Sequence, residues 1–241
     1  MKNYLVTGVS RGLGLKITEE IVEGGDFVYG VARNSSKALD SLIEKYPSSV
    51  KFLSFDLSHV DSIKDAVFKD FIGLKTPLHG FVDNAAIAYD DIISNLNYGK
   101  LSELYKINVF SAMILVKYVI RNFILHDSPG SIVHISSVSA HTGYKGLAMY
   151  ASTKGAIEAF SKNTAREWGA RKIRSNCVVA GFMETDMSSS LSKEQKEKIF
   201  NRTSLKIPAD TASVAKTVVF LLGDSSKSIT GQNIFVDSGT L

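Results

Sequence analysis

Short apolar runs alternate with helically spaced segments along the whole chain, and this alternation constrains the fold more than any other feature. Residues 4–6, 27–31, 50–55, 80–82, 131–135, 175–179 and 233–236 read as strands. Between them, residues 13–23, 35–46, 60–71, 101–125, 150–170 and 211–222 carry apolar positions at helical spacing. For the last of these, Pro208 and Asp210 supply a start signal. Strands that alternate with helices form βαβ units and a parallel sheet covered on both faces. Right-handed crossovers then give a Rossmann-type, doubly wound α/β sheet, with ligands at the carboxyl ends of the strands. No repeat or linker breaks the order, so residues 1–241 read as one domain.

Composition narrows the function classes. The chain is 44% hydrophobic and 22% charged with a net charge of +4, the profile of an ordinary globular protein. The excess Lys and Arg is dispersed, and the alternating charges at 193–198 suit a solvated helix face better than a nucleic-acid patch. The single cysteine, Cys177, excludes an intrachain disulfide framework and reads as a small buried hydrophobe, which fits a reducing compartment. No apolar run reaches the roughly 18 residues of a membrane span, and the N-terminus has no signal-peptide core. A cytoplasmic protein is expected.

Thr7-Gly8-Val9-Ser10-Arg11-Gly12-Leu13-Gly14 follows the first strand and opens the first helix. A helix N-terminus attracts phosphate, and glycines let the backbone approach a pyrophosphate closely. This strand-turn-helix context turns a weak motif into a dinucleotide-binding signal. At the end of the second strand a carboxylate would select NAD, but the chain has Arg33-Asn34 there, with Arg11 in the glycine turn. A guanidinium can hold a 2′-phosphate through paired hydrogen bonds, so NADP(H) is the expected cofactor.

Tyr150 and Lys154 are four residues apart and share one helix face. A nearby ammonium favours the ionised phenol, which suits a proton donor and acceptor. Ser137 ends the fifth strand, and Asn108 lies within the helix at 101–125.

The glycine turn, Asp83-Asn84-Ala85-Ala86, Asn108, Ser137 and Tyr150-x3-Lys154 together closely resemble the short-chain dehydrogenase/reductase family over essentially the full length. The resemblance implies a seven-stranded sheet that binds a nicotinamide dinucleotide. It implies that Gly8, Ser10, Arg11, Gly12, Leu13 and Gly14 cradle the cofactor. Asp56 and Leu57 would meet the adenine, and Asn84 and Ala85 its ribose, although Asn84 could equally stabilise the turn. Gly181, Met183 and Thr185 would lie by the nicotinamide. Ser137 would hydrogen-bond a substrate carbonyl, Tyr150 would give it a proton, and Lys154 would hold the ribose. Asn108 would anchor a water linking Lys154 to solvent. Ser136 reads as a strand residue pointing away, since neighbours on a strand face opposite sides. Ser58 reads as a better helix cap than Asp56.

Two departures stand out. Ala180-Gly181 replaces the family's Pro-Gly, and Asp83 replaces the more usual Asn, a change read as minor. Residues 182–207 are polar and serine-rich, with Phe182, Met183, Met187, Leu191, Ile199 and Phe200 as apolar points. Their place after a strand end marks a substrate-covering segment.

The resemblance points first to 3-oxoacyl-[acyl-carrier-protein] reductases of fatty acid biosynthesis, through 165–167, 181–187 and 229–232. Arg171, Lys172 and Arg174 could form part of a carrier-protein patch, but His126-Asp127-Ser128 lacks the second basic point. The alternative is a reductase of a sugar derivative, polyol or small hydroxy-ketone, with His141, Tyr144 and Phe182 available to line either pocket. A cofactor-sensing relative without turnover fits less well, because the catalytic set is complete. The family's homotetramer, or a homodimer, would use 101–125, 150–170 and the last strand, where Phe110, Met113, Phe160 and Trp168 lie.

Overall fold

A computed structural model describes residues 1–185 and 192–241. Its strands are β1 (Asn3–Thr7), β2 (Phe27–Ala32), β3 (Val50–Ser54), β4 (Gly80–Asp83), β5 (Gly130–Ser137), β6 (Ile173–Ala180) and β7 (Asn233–Val236). All pair in parallel, in the order β3-β2-β1-β4-β5-β6-β7. The order reverses between β1 and β4, so a crevice opens where the chain leaves those two strands. Thr7, Gly8, Asp83 and Asn84 sit at that point.

Helices cover both faces. They are α1 (Gly12–Glu23), α2 (Lys37–Lys45), α3 (Tyr98–Tyr105), α4 (Ser111–Leu125), α5 (Ala148–Trp168), α6 (Lys193–Phe200) and α7 (Thr211–Leu222). One core layer joins α1 and α7 to the sheet through Ile17, Val6, Val133, Val178 and Val218. The other joins α4 through Leu115, Val119 and Phe123 to Leu5, Phe81 and Ile132. Strands buried on both faces are mostly apolar, which is why the sequence displays them clearly. Each fully buried Leu, Ile or Phe contributes about 1.5–3 kcal/mol. Gly130 opens β5 against Phe123, where a Cβ would come within 2.2 Å of the ring.

Two segments differ from the sequence reading. The helix expected at 60–71 is a 3₁₀ turn (Val60–Ser62) followed by a π-helix (Lys64–Ile72). The wider winding still buries Val67, Phe68, Phe71 and Ile72. The helix expected at 101–125 is a rod from Tyr98 to Leu125, interrupted by a π-turn at Lys106–Phe110. This rod is long and apolar enough to cross a membrane by length and composition, yet 61% of its most apolar window is buried inside the fold. As expected, α6 carries the alternating charges of 193–198 on a surface helix, started by a Ser192–Gln195 capping box. Asp210 caps α7 as expected, accepting from the Ala212 and Ser213 N–H groups.

Candidate active site

Thr7 and Asn84 clasp the glycine turn from both sides. Thr7 Oγ1 accepts from the N–H groups of Asn84 and Ala85, each at 3.1 Å. The Asn84 side-chain amide donates to the Thr7 carbonyl at 2.9 Å and the Gly8 carbonyl at 3.3 Å. Of the two readings of Asn84, the structure displays the turn-stabilising contacts directly. Gly8 and Gly12 adopt positive φ, at 73° and 57°. A Cβ on Gly14 would lie 2.1 Å from the Gly8 carbonyl oxygen. Arg11 occupies the N-cap of α1 without a side-chain cap hydrogen bond. The first N–H groups of α1 thus lack a capping side chain, and the close backbone leaves a cradle that suits a pyrophosphate. Leu13 lies in the core on the first turn of α1. Ser10 and Gly12 stay partly exposed, and Ser36 donates to the Ser10 carbonyl, docking the start of α2 on the turn.

Around this cradle lie the other predicted contacts. Arg33 and Asn34 are exposed beyond β2, next to the turn. Arg33 also acts on Asp56 across the strand ends. Asp56 is held below the usual carboxylate range, first by the Ser58 N–H it accepts at 2.8 Å and further by the Arg33 charge. Asp56 therefore makes a local turn with Ser58, and neither caps the next helix: His59 stands at the N-cap of the following 3₁₀ turn, without a side-chain cap hydrogen bond, which corrects the expectation for Ser58. Leu57 is buried in the core. On the far side, Thr185 comes over Gly12, its methyl 3.7 Å from where a Cβ would stand. Met183 packs on the core layer beneath α1 and α7.

Ala180 and Gly181 are held more firmly than the missing proline suggests. Ala180 pairs with both Ser137 and Val236, and the Gly181 N–H donates to the Val236 carbonyl at 3.0 Å. A Cβ on Gly181 would sit 2.6 Å from Asp237 Cα, so only glycine fits there.

The reacting groups gather at the ends of β5 and α5. Lys154 is buried, and its Nζ donates to the Ile135 carbonyl of β5 at 2.7 Å. The same ammonium lies 5.6 Å from the centre of the Tyr150 ring. Ser137, at the tip of β5, accepts from the Ser139 N–H at 3.2 Å and the Ser139 hydroxyl at 3.0 Å. Its own proton is left to be donated elsewhere. Ser136, read from sequence as pointing away, donates to the buried Glu158 on the helix that carries Tyr150 and Lys154.

Asn108 sits in the π-turn, where the Ser111 N–H reaches back five residues to the Lys106 carbonyl. Such turns recur at functional sites. Its side chain accepts from the Ile87 N–H at 2.9 Å and donates to the Ile87 carbonyl at 2.9 Å and to Thr153 at 3.2 Å. These direct bonds tie the loop after β4 to α5. They match the reading of a buried asparagine bonded to nearby backbone.

Some features were missed or misjudged from sequence. Asp83 is not a minor change: its carboxylate meets the buried His134 imidazole. Glu158 accepts three hydrogen bonds, and its one signal was its position one turn past Lys154 on the same helix face. Arg174 does not belong to a docking patch. Its guanidinium binds the carbonyls of Leu221, Gly223 and Ile229, closing the C-terminus of α7. Arg171 and Lys172 do line an open cleft with Asp127 and Ser128, at the amino ends of β5 and β6. That edge of the sheet is opposite the one bearing Ser137.

Part of the covering segment, including Met187 and Leu191, lies outside the described residues. Its two ends are joined by a hydrogen bond from the Ala209 N–H to the Phe182 carbonyl at 2.8 Å. Phe182 and Phe200 stack at a tilt, with centroids 5.8 Å apart.

The chain is similar to known proteins over essentially its whole length. The family model described as enoyl-(acyl carrier protein) reductase matches residues 8–240. A 3-oxoacyl-[acyl-carrier-protein] reductase of Chlamydia pneumoniae is 33% identical over 99% of this chain and 96% of its own. An L-xylulose reductase of Caenorhabditis elegans is 31% identical over 99% of this chain and 95% of its own. In fold, the chain resembles a gluconate 5-dehydrogenase of Burkholderia cenocepacia solved with NADP and tartrate. The TM-score is 0.91 at 23% identity, covering 99% of this chain and 94% of that one. The chain belongs to the short-chain dehydrogenase/reductase family, oxidoreductases that act on alcohols and ketones.

Proposed function

We propose that this protein is an NADPH-dependent carbonyl reductase, with 3-oxoacyl thioesters, carried on an acyl carrier protein, as its first substrate class. The observation that carries the reading is the seat of Lys154, buried beside the Tyr150 ring and bonded to the strand that ends in Ser137. When bound, NADPH supplies the hydride. The chain's own residues then deal with the oxygen. Ser137 donates its free proton to the carbonyl, and Tyr150 transfers a proton to the developing alkoxide. Lys154 places positive charge beside the phenol as that proton leaves. Asn108 keeps the loop after β4 fixed against α5. Met183 and Thr185 close over the nicotinamide end, and residues 182–207 cover the substrate.

Arg33 and Arg11 support NADP(H) over NAD(H), since both are exposed beside the turn where a 2′-phosphate would lie. The 3-oxoacyl substrate rests on the similarity to acyl-carrier-protein reductases. A sugar or polyol derivative is the second reading. It is favoured by the xylulose reductase relative and by the place of Arg171 and Lys172 on the opposite sheet edge. Assembly into a homotetramer or homodimer through α4 and α5 would cover Phe110, which is 49% exposed; sedimentation equilibrium tests it.

NADPH oxidation with a panel of acetoacetyl thioesters, L-xylulose and simple ketones tests the substrate class. Turnover of thioesters is expected. Turnover of sugars without any thioester activity would establish the second reading instead.

A further inference from the structure

Glu158 lies one turn beyond Lys154 on α5 and is only 7% exposed. Three donors converge on its carboxylate. Ser136 donates to Oε1, His141 Nε2 lies 2.9 Å away, and the Asn233 amide donates to Oε2 at 2.6 Å. Each donor comes from a different part of the fold. Ser136 precedes Ser137 at the end of β5, His141 lies in the turn just after it, and Asn233 opens β7. The His141 ring is further held edge-on against Phe235, with centroids 4.8 Å apart.

We propose that Glu158 is a positioning residue for the reaction: it fixes the tip of β5, with Ser137, against the helix that carries Tyr150 and Lys154. This inference rests on the carbonyl-reductase reading. Ser137 and Tyr150 must meet one oxygen atom, yet they stand on separate elements. Two polar ties hold these elements together beside the reacting groups, Lys154 to Ile135 and Glu158 to Ser136. Lys154 must also serve the cofactor ribose, whereas Glu158 has no such second duty. Its bonds grip the chain on both sides of Ser137, so their loss lets the serine hydroxyl wander from the phenol. A displacement of about 1 Å can cost on the order of 10²-fold in rate.

The carboxylate's charge strengthens these bonds, since charge-assisted hydrogen bonds are roughly twice as strong as neutral ones. Glu158→Gln removes the charge and keeps the volume. Asn233 Oδ1 is buried without a partner among the described residues and can accept from the new amide if its own amide flips, so this variant should retain the fold. Glu158→Ala leaves three donors stranded and serves as the harsher comparison.

The test combines kinetics on a carbonyl turned over by the wild type, NADPH titration by fluorescence, and amide hydrogen exchange. For Glu158→Gln we expect NADPH affinity within about twofold of wild type and kcat lower by about tenfold with little change in KM. Exchange should quicken at residues 136–142 and stay unchanged in the middle of α5. Full kcat in this variant, or a parallel loss of NADPH binding and uniformly faster exchange, would overturn the proposal. If the wild type reduces no carbonyl in the panel, the functional reading fails by itself. The tie is then decided by exchange: unchanged rates at 136–142 overturn it, and faster rates confined there sustain it.

Discussion

Asp83 Oδ2 and His134 Nδ1 meet at 2.9 Å, at the register pair that joins the end of β4 to β5. The imidazole is fully buried, its ring edge toward Phe160, and Nε2 has no partner among the described residues. Asp83 is therefore the one group satisfying this histidine, directly beneath the Asn84 clasp. Asp83→Ala should lower stability by about 1–3 kcal/mol, the cost of stranding a buried polar group. Asp83→Asn should cost less, because an amide oxygen still accepts from Nδ1–H. Urea unfolding of the two variants checks the ranking; equal losses would count against it.

Tyr150→Phe removes the phenol proposed as proton donor and leaves the ring in place. Turnover should fall by about 10²- to 10⁴-fold, the usual worth of general acid catalysis. NADPH fluorescence titration should give an unchanged affinity. Substantial residual turnover would break the mechanism.

Arg33→Asp places a carboxylate where a 2′-phosphate is expected to bind. Hydrogen bonds to charged groups are worth about 1.5–3 kcal/mol, so the KM for NADPH should rise by about 10- to 100-fold while NADH improves. Unchanged discrimination between the two dinucleotides would refute the cofactor assignment.

Burial pushes the Cys177 thiol up to about 12, from an ordinary value of 9.0. The folded state therefore holds this proton more tightly than the unfolded chain. The associated stability is complete below pH 9 and is lost as pH rises from about 9 toward 12. Tyr4, raised chiefly by burial, acts in the same direction. Cys177→Ala should flatten part of the alkaline fall in the urea midpoint. The native thiol should also react with a disulfide reagent far more slowly than the unfolded chain at pH 8.

Two glycines should respond in opposite ways. Gly14→Ala drives a methyl into the Gly8 carbonyl and should cost about 1–3 kcal/mol or more, along with NADPH binding. Gly155, inside α5, has open space at its Cβ position, so Gly155→Ala should add about 0.5–1 kcal/mol. Thermal denaturation with and without NADPH separates the two cases.

The sheet was legible because its strands are buried on both faces and appear as largely apolar runs, as at 177–180. The glycine turn was legible because local geometry dictates it. Other features depend on pairings between distant segments. Asp83 with His134, Arg174 with the end of α7, and Glu158 with Asn233 are joined by contacts that helical or strand periodicity does not encode. The π-turn at Asn108 escaped for another reason: one extra residue in a helical turn leaves the apolar spacing nearly unaltered. Placing Arg171 and Lys172 at the amino edge also required the register of β5 and β6.

The bond between Ala209 and Phe182 brings the two flanks of the intervening stretch together, and Ser204 and Leu205 are further stitched to the carbonyls of Gly239 and Ser238. Closing such a loop grows costlier only slowly with length, by about 0.6 kcal/mol per doubling. Descendants of this gene could therefore swap, shorten or extend that stretch, and so explore new clients, while the sheet underneath stays untouched.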